Sequence, residues 1–283
     1  MHRNWAQELC DYEEFLSQID IQSYSGFREI KWVEQDLPQE KVPNLYKNGE
    51  TIKFRHLHLA SIYFYYWDNP NFSKFNDFNK WFDQYWTDMN NNQVVITVLR
   101  KFKTYFFDGA DEEWFKNGFR ARMYRTWMSL LTQIHFQYLW NKLFDEKIES
   151  SALLDSLGLD ARFIKGQKTV GIQIKKISFR REVSDRKFTS RQKTFADVVI
   201  EIPYVVDNPK EIKEKLSSER TKLATKEKLE KKLRTFNENF STFPNGFVIF
   251  KEEYLKKVYE IIVDKLSSLS IGDTISYDKF LDY

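Results

Sequence analysis

The sequence predicts an α/β fold, a mixed central sheet flanked by helices and preceded by a mostly helical N-terminal region. Three observations lead there. Up to about residue 145 apolar side chains recur at helical spacing, and beyond Ser151 the pattern changes to short, β-branched, alternating runs. A long charged stretch of helical character then separates the third such run from a fourth. The reading is one compact domain over 1–283, divided into a helical region 1–145 and an α/β core 146–283. A chain of 283 residues is long enough to bury a sizeable interior.

The elements follow in order. Residues from about Trp5 to Ile19 form an amphipathic segment, and Phe72 to Trp86 carries Phe, Trp and Tyr at helical spacing. Gln93 to Phe107 suits a helix, although Val94-Val95-Ile96-Thr97-Val98 alone suits a strand. The clearest helix runs from about Asp111 to Leu143. In it Phe119, Met123, Trp127, Leu130, Ile134 and Tyr138 step by three or four and share one face. Arg120, Arg122 and Arg125 surround its early turns and read either as a solvated edge or as phosphate contacts.

After Ser151, Leu159–Ile164 and Val170–Lys175 are β-prone runs joined by Lys165–Thr169, a hairpin turn with Gly166 as the permissive residue. A third strand spans Val198–Ile202 and is expected to end at Pro203. Asp207–Asn239 is the charged helical stretch. Asn245-Gly246 turns the chain into a fourth strand, Phe247–Phe250, and Glu252–Leu266 is a closing helix.

Composition narrows the class. Apolar residues at 42% and charged residues at 30% describe an ordinary globular chain rather than a disordered one. Aromatics reach 17%, and so much ring surface must lie mostly in the core. The single cysteine, Cys10, excludes an intrachain disulfide. The N-terminus lacks the apolar run of a signal peptide, and Leu57–Trp67 is too short to span a bilayer. A soluble cytoplasmic protein without a membrane partner is expected.

The chemistry-bearing constellation is Asp160 with Gly171-Ile172-Gln173-Ile174-Lys175-Lys176. In an extended strand Gln173 and Lys175 point one way and Ile172 and Ile174 the other. The hairpin can then bring Asp160 beside the polar pair. An acid, then an acid or amide, one spacer and a lysine is the pattern of the PD-(D/E)XK nuclease core. Phosphodiester hydrolysis explains those residue types. Asp160 would hold a Mg²⁺ that stabilises charge on the phosphate and acidifies a water, with Gln173 as a weaker, neutral oxygen ligand. The lysine would orient that water and offset negative charge. Asp155, five residues upstream, is either a second acid of the same site or a helix-capping residue before Gly158. Glu201 on the third strand either approaches the metal or sits on the rim.

Charge distribution supports a polyanionic partner. From Arg162 to Lys193 eleven basic residues face only Glu182 and Asp185, a local excess of nine in a chain of net charge +3. Within that stretch Arg180, Arg181, Arg186, Arg191 and Lys193 are candidate contacts to the phosphates and bases of double-stranded DNA. The 207–239 stretch mixes both signs and reads as a wet helix face. No phosphate-binding GxxxxGK[ST] loop, no GxGxxG after a strand and no GxSxG elbow occurs. His56 and His58 have no third metal ligand nearby, and His135 within the long helix reads as a core histidine.

Several segments, taken together, resemble the TaqI-type restriction endonucleases. They are Val33-Glu34-Gln35-Asp36-Leu37-Pro38, Tyr124-Arg125-Thr126 with Leu131-Thr132-Gln133, Gly171–Lys176, Glu201-Ile202-Pro203-Tyr204 and Asn245–Phe250, in the same order from near the N-terminus to about residue 255. The resemblance implies a Mg²⁺-dependent type II enzyme that cuts both strands at TCGA with a short 5′ overhang, alongside a protective DNA methyltransferase. It implies catalytic roles for Asp155, Asp160 and a lysine of the Lys175/Lys176 pair; alternation with Gln173 selects Lys175, and a one-residue shift in the hairpin would select Lys176. A palindromic site implies a homodimer on DNA. The rival readings are a repair or structure-selective nuclease with the same core, and a DNA-binding protein whose site is dead because Gln173 replaces an acid.

Overall fold

The computed structural model describes residues 5–21, 77–93, 96, 100, 103–104, 108–177 and 195–281. The chain divides into two compact units, one formed by 1–17 with 135–283 and the other by 18–134.

Within the 18–134 unit, helix α2 (Phe78–Asn91) starts at Asp77, whose carboxylate accepts the Asn79 N–H at 2.8 Å. Its Phe78, Trp81, Phe82, Tyr85 and Met89 are buried at helical spacing. Of the Gln93–Phe107 stretch, positions 93, 96, 100, 103 and 104 are described, and all are helical. The long helix α3 (Glu112–Leu143) is capped by Asp111, which accepts the N–H groups of Glu113 and Trp114. Phe78 packs edge-on against Tyr124 with ring centroids 5.3 Å apart. Arg120 binds Asp83 at 3.3 Å and covers the Phe82 ring at 5.0 Å.

A single apolar face was expected for α3, but residues 130–141 are buried without a break, polar Thr132, Gln133, His135, Gln137 and Asn141 included. A helix buried all round carries no clean periodicity on its second half. Asn141 Oδ1 accepts the Ile148 N–H at 2.9 Å.

The other unit holds helix α1 (Trp5–Gln18) and the sheet. Strand β1 (Ala161–Lys165) pairs antiparallel with β2 (Lys168–Ile177); β2 pairs parallel with β3 (Val198–Val205). The two-residue β6 (Thr274–Ile275) adds in parallel to β3, giving the order β1-β2-β3-β6. Gly166 opens the tight β1–β2 turn at φ 61°, the conformation a glycine-first hairpin needs. Helices α5 (Pro209–Ser217) and α6 (Leu223–Asn239) divide the charged stretch, and α7 (Glu252–Leu266) closes the chain's last large element.

One strand expectation is corrected and another is refined. β3 continues through Pro203 to Val205. Proline is tolerated there because β6 pairs only with Val199 and Ile200, so among the described residues β3 has no strand neighbour on that side at Pro203 and no ladder bond is lost. The Phe247–Phe250 run forms β5 (Val248–Phe250), which pairs with β4 (Phe240–Thr242) in a separate two-stranded hairpin and not with the central sheet. The β4–β5 hairpin is tied to the main sheet through Tyr204, whose hydroxyl donates to the Val248 carbonyl at 2.8 Å.

One face of the sheet is core. Ala161, Phe163, Val170, Ile172, Val198, Ile200 and Ile202 are each at most 2% exposed. Trp140 of α3 packs on Phe163 at 5.2 Å and on Tyr259 of α7 at 5.7 Å. Among the described residues no helix is long and apolar enough to cross a membrane.

Candidate active site

A short helix, α4 (Ala152–Ser156), leads into the site. Ser151 caps its start, accepting the Leu154 N–H at 3.2 Å. It ends in paired bonds: the Gly158 N–H donates to Asp155 O at 2.9 Å and the Leu159 N–H to Leu154 O at 3.0 Å. This is the Schellman arrangement, and Gly158 takes the left-handed conformation it needs at φ 87°. The chain reverses there and delivers Asp160 to the start of β1.

Asp160 is fixed from both its backbone and its side chain. Its N–H donates to Ile172 O at 2.8 Å, and its Oδ2 accepts the Ile174 N–H at 2.6 Å. The carboxylate thus continues the β1–β2 ladder where the backbone of β1 stops supplying acceptors. Gln173 lies between those two β2 residues, and its amide nitrogen donates to the Gly158 carbonyl. With the amide nitrogen engaged, the oxygen is the end of Gln173 that suits a cation.

Lys175 shares the Gln173 face of β2. Its side chain is only 13% exposed, and its ammonium lies 2.9 Å from Glu201 Oε1 on β3. Lys176 takes the opposite face and is exposed. Glu201 stands directly across from Gln173 in the parallel register and is 4% exposed. It is therefore an interior residue of the site and not a rim residue. Asp155 is also buried, at 4%, on α4 upstream of the turn at Gly158, and Ser151, not Asp155, supplies the helix cap.

Behind Asp160 the structure leaves no slack. Leu154, Leu159, Ala196 and Val199 form a small apolar cluster with Phe195. A Cβ added to Gly171 would come within 2.8 Å of a Leu159 methyl and 2.9 Å of the Ala196 Cβ. The glycine at the head of the Gly171–Lys176 run therefore allows the chain segment bearing Leu159 and Asp160 to lie tight against β2.

Four of the eleven basic residues between Arg162 and Lys193 are paired within the chain. Arg162 pairs with Glu149 at 3.0 Å, and Lys165 with Glu146. Lys168 donates to the carbonyls of Leu266 and Leu269 at the end of α7 and just beyond it, at 2.7 and 2.6 Å, and Lys175 pairs with Glu201. The candidate DNA contacts Arg180, Arg181, Arg186, Arg191 and Lys193 lie outside the described residues, as do His56 and His58. His135 is a core residue, its Nε2 3.2 Å from Glu13 Oε1 and its ring stacked on Phe250.

Among the described residues no three His, Cys, Asp or Glu side chains group as a metal site. The donor set still fits Mg²⁺, a hard cation that takes one or two protein oxygens and completes its shell with water and substrate phosphate. Asp160 and the Gln173 amide oxygen are such a set.

Comparison with known proteins identifies the chain's relatives. The family model described as TaqI restriction endonuclease matches residues 9–262. The type II restriction enzyme TthHB8I of Thermus thermophilus is 33% identical over 278 residues, covering 97% of this chain and 95% of that one. The type II restriction enzyme TaqI of Thermus aquaticus is 33% identical over 281 residues, with the same coverage. No solved structure matches.

Proposed function

The chain belongs to the TaqI restriction endonuclease family and is a type II site-specific deoxyribonuclease, and on that premise we propose that it makes Mg²⁺-dependent cuts in both strands of duplex DNA at TCGA, leaving 5′ overhangs. The observation that carries the reading is the meeting of Asp160, Gln173 and Lys175 on the β1–β2 hairpin, each held by a named contact. The central sheet with its flanking helices is read as a PD-(D/E)XK core, the acid coming from the start of the first hairpin strand and the lysine from the second.

In this reading Asp160 and Gln173 would hold the cation, with Asp155 as the further acid. When bound, Mg²⁺ supplies charge stabilisation at the phosphate and makes a water more acidic. Lys175 orients the attacking water and offsets negative charge as one P–O bond forms and another breaks. Lys176 stays outside the reaction because it leaves the sheet on the other face. The enzyme acts on cytoplasmic DNA as a homodimer, one subunit per strand, and a DNA methyltransferase of the same system protects the host sites. Arg180, Arg181, Arg186, Arg191 and Lys193 contact the duplex.

A digest of sequenced plasmid with purified protein and Mg²⁺, mapped at its ends, tests the proposal alongside Asp160→Ala, Lys175→Ala and Lys176→Ala. Discrete cuts at TCGA are expected, lost in Asp160→Ala, lowered at least about 100-fold in Lys175→Ala, and kept in Lys176→Ala. Discrete cuts elsewhere would discard the specificity alone. Parental cleavage by Lys175→Ala would remove the lysine assignment.

A further inference from the structure

The geometry points to Glu201 as the residue that positions Lys175 for the reaction, a role that rests on the reading of Lys175 given above. β3 is buried along its whole length, and Glu201 is its one charged member, between Ile200 and Ile202. A carboxylate in such a strand is costly unless paired. Its partner is the ammonium of Lys175 at 2.9 Å, with side-chain exposures of 6% and 13%. Among the described residues neither side chain has another hydrogen-bond or ion-pair partner.

Stability does not explain the arrangement. Replacing a buried ion pair by apolar side chains of similar volume is often neutral or favourable. A structure built for stability alone would continue the Val198–Val199–Ile200 pattern across position 201. The pair has a specific placement instead. Glu201 is level with Gln173 across the parallel ladder, and Lys175 lies one side-chain repeat further along the same face. A flexible four-carbon side chain is thereby fixed at its tip from a neighbouring strand, where a lysine held only by its own backbone would sample many rotamers. Glu201 touches no reacting atom in this role; it acts through Lys175.

The test compares the parent with Glu201→Gln, Glu201→Asp and Lys175→Ala on plasmid DNA that the parent cuts. Three quantities are read: single-turnover cleavage rate at saturating Mg²⁺, the Mg²⁺ concentration giving half that rate, and DNA affinity in Ca²⁺. Glu201→Gln is expected to lower the rate about 10- to 100-fold, as removal of supporting partners does, with the Mg²⁺ midpoint and DNA affinity unchanged. Glu201→Asp keeps the charge but shortens the reach, and its rate should fall between the two. A parental rate in Glu201→Gln overturns the proposal, as does a Mg²⁺ midpoint that rises in step with the loss, which would make Glu201 a metal ligand. Should Glu201→Gln fail to fold, Glu201→Asp decides, and a parental rate there overturns it. Parental cleavage by Lys175→Ala, in contrast, refutes the lysine reading itself whatever Glu201 does.

Discussion

At the scale of single residues, two glycines set the site. Gly158 adopts φ 87° and its carbonyl receives the Gln173 amide, so one residue both ends α4 and anchors the side chain proposed as a cation ligand. Alanine there must enter the left-handed region at a cost of about 1–2 kcal/mol. Gly158→Ala should therefore lower the unfolding free energy by about that amount in a denaturant titration, and cleavage should fall further than stability does. Unchanged cleavage would mean that the Gln173 anchor is dispensable. Gly171 works by closeness rather than by conformation. Its missing side chain lets Leu159 and Ala196 approach β2, so Gly171→Ala should overpack the cluster at a cost of about 1–3 kcal/mol. The additional Leu159→Ala change would make room for the methyl, and recovery of cleavage in that double variant would locate the damage in the support of Asp160. Persistence of the defect would place it elsewhere.

Among elements, the hairpin is anchored where Lys165 meets Glu146 and Tyr259. Lys165 Nζ donates to the Tyr259 hydroxyl at 2.8 Å, the hydroxyl donates to Glu146 Oε2 at 2.7 Å, and Phe144 stacks on the Tyr259 ring at 4.3 Å. The end of β1 is thus joined to α7 and to the link after α3. Burial pushes the Glu146 carboxyl up, but the hydrogen bonds from Lys165 and Tyr259 outweigh it and hold the group below its ordinary 4.5. A depressed folded-state value means the contribution is present above pH 4.5 and is lost as the pH falls through the lower folded value. Below pH 4.5 the parent should lose stability more steeply than Glu146→Gln, and parallel pH curves would remove the carboxylate from this role. These anchoring interactions mark the limit of what the sequence discloses. The shared face of Gln173 and Lys175 was legible because strand alternation separates them from Ile172 and Ile174. Glu201 was ambiguous, since an acid within Val-Val-Ile-Glu-Ile-Pro reads equally as a rim residue until the register with β2 is known. β6, with two residues, is too short for any pattern, and Val248–Phe250 has the composition of a central strand although it pairs with Phe240–Thr242 instead. Pairing is a long-range choice, and local composition does not carry it.

For the whole molecule, the proposal is that charge and symmetry decide how DNA is held. Arg162, Lys165, Lys168 and Lys175 are paired within the chain, and the contacts to DNA are proposed for the 180–193 stretch. Arg180→Ala, Arg181→Ala and Arg191→Ala combined should weaken binding in Ca²⁺. They should also reduce the slope of log affinity against log salt by about 0.9 for each phosphate no longer neutralised. An unchanged slope would show that these arginines do not reach the phosphates. Symmetry gives a sharper test. A palindrome offers the same bond on each strand, and a twofold dimer presents one Asp160–Gln173–Lys175 site to each. Mixing parent with Asp160→Ala under exchange conditions would then produce dimers with one working site. Those dimers should cut a single strand, so nicked circles accumulate and linear product lags behind. A monomer that cuts the strands in turn predicts the opposite: linear product falls only in proportion to the parent enzyme removed, with no additional nicked species. Sedimentation of the protein with a duplex in Ca²⁺ should show two chains per site if the dimer is correct.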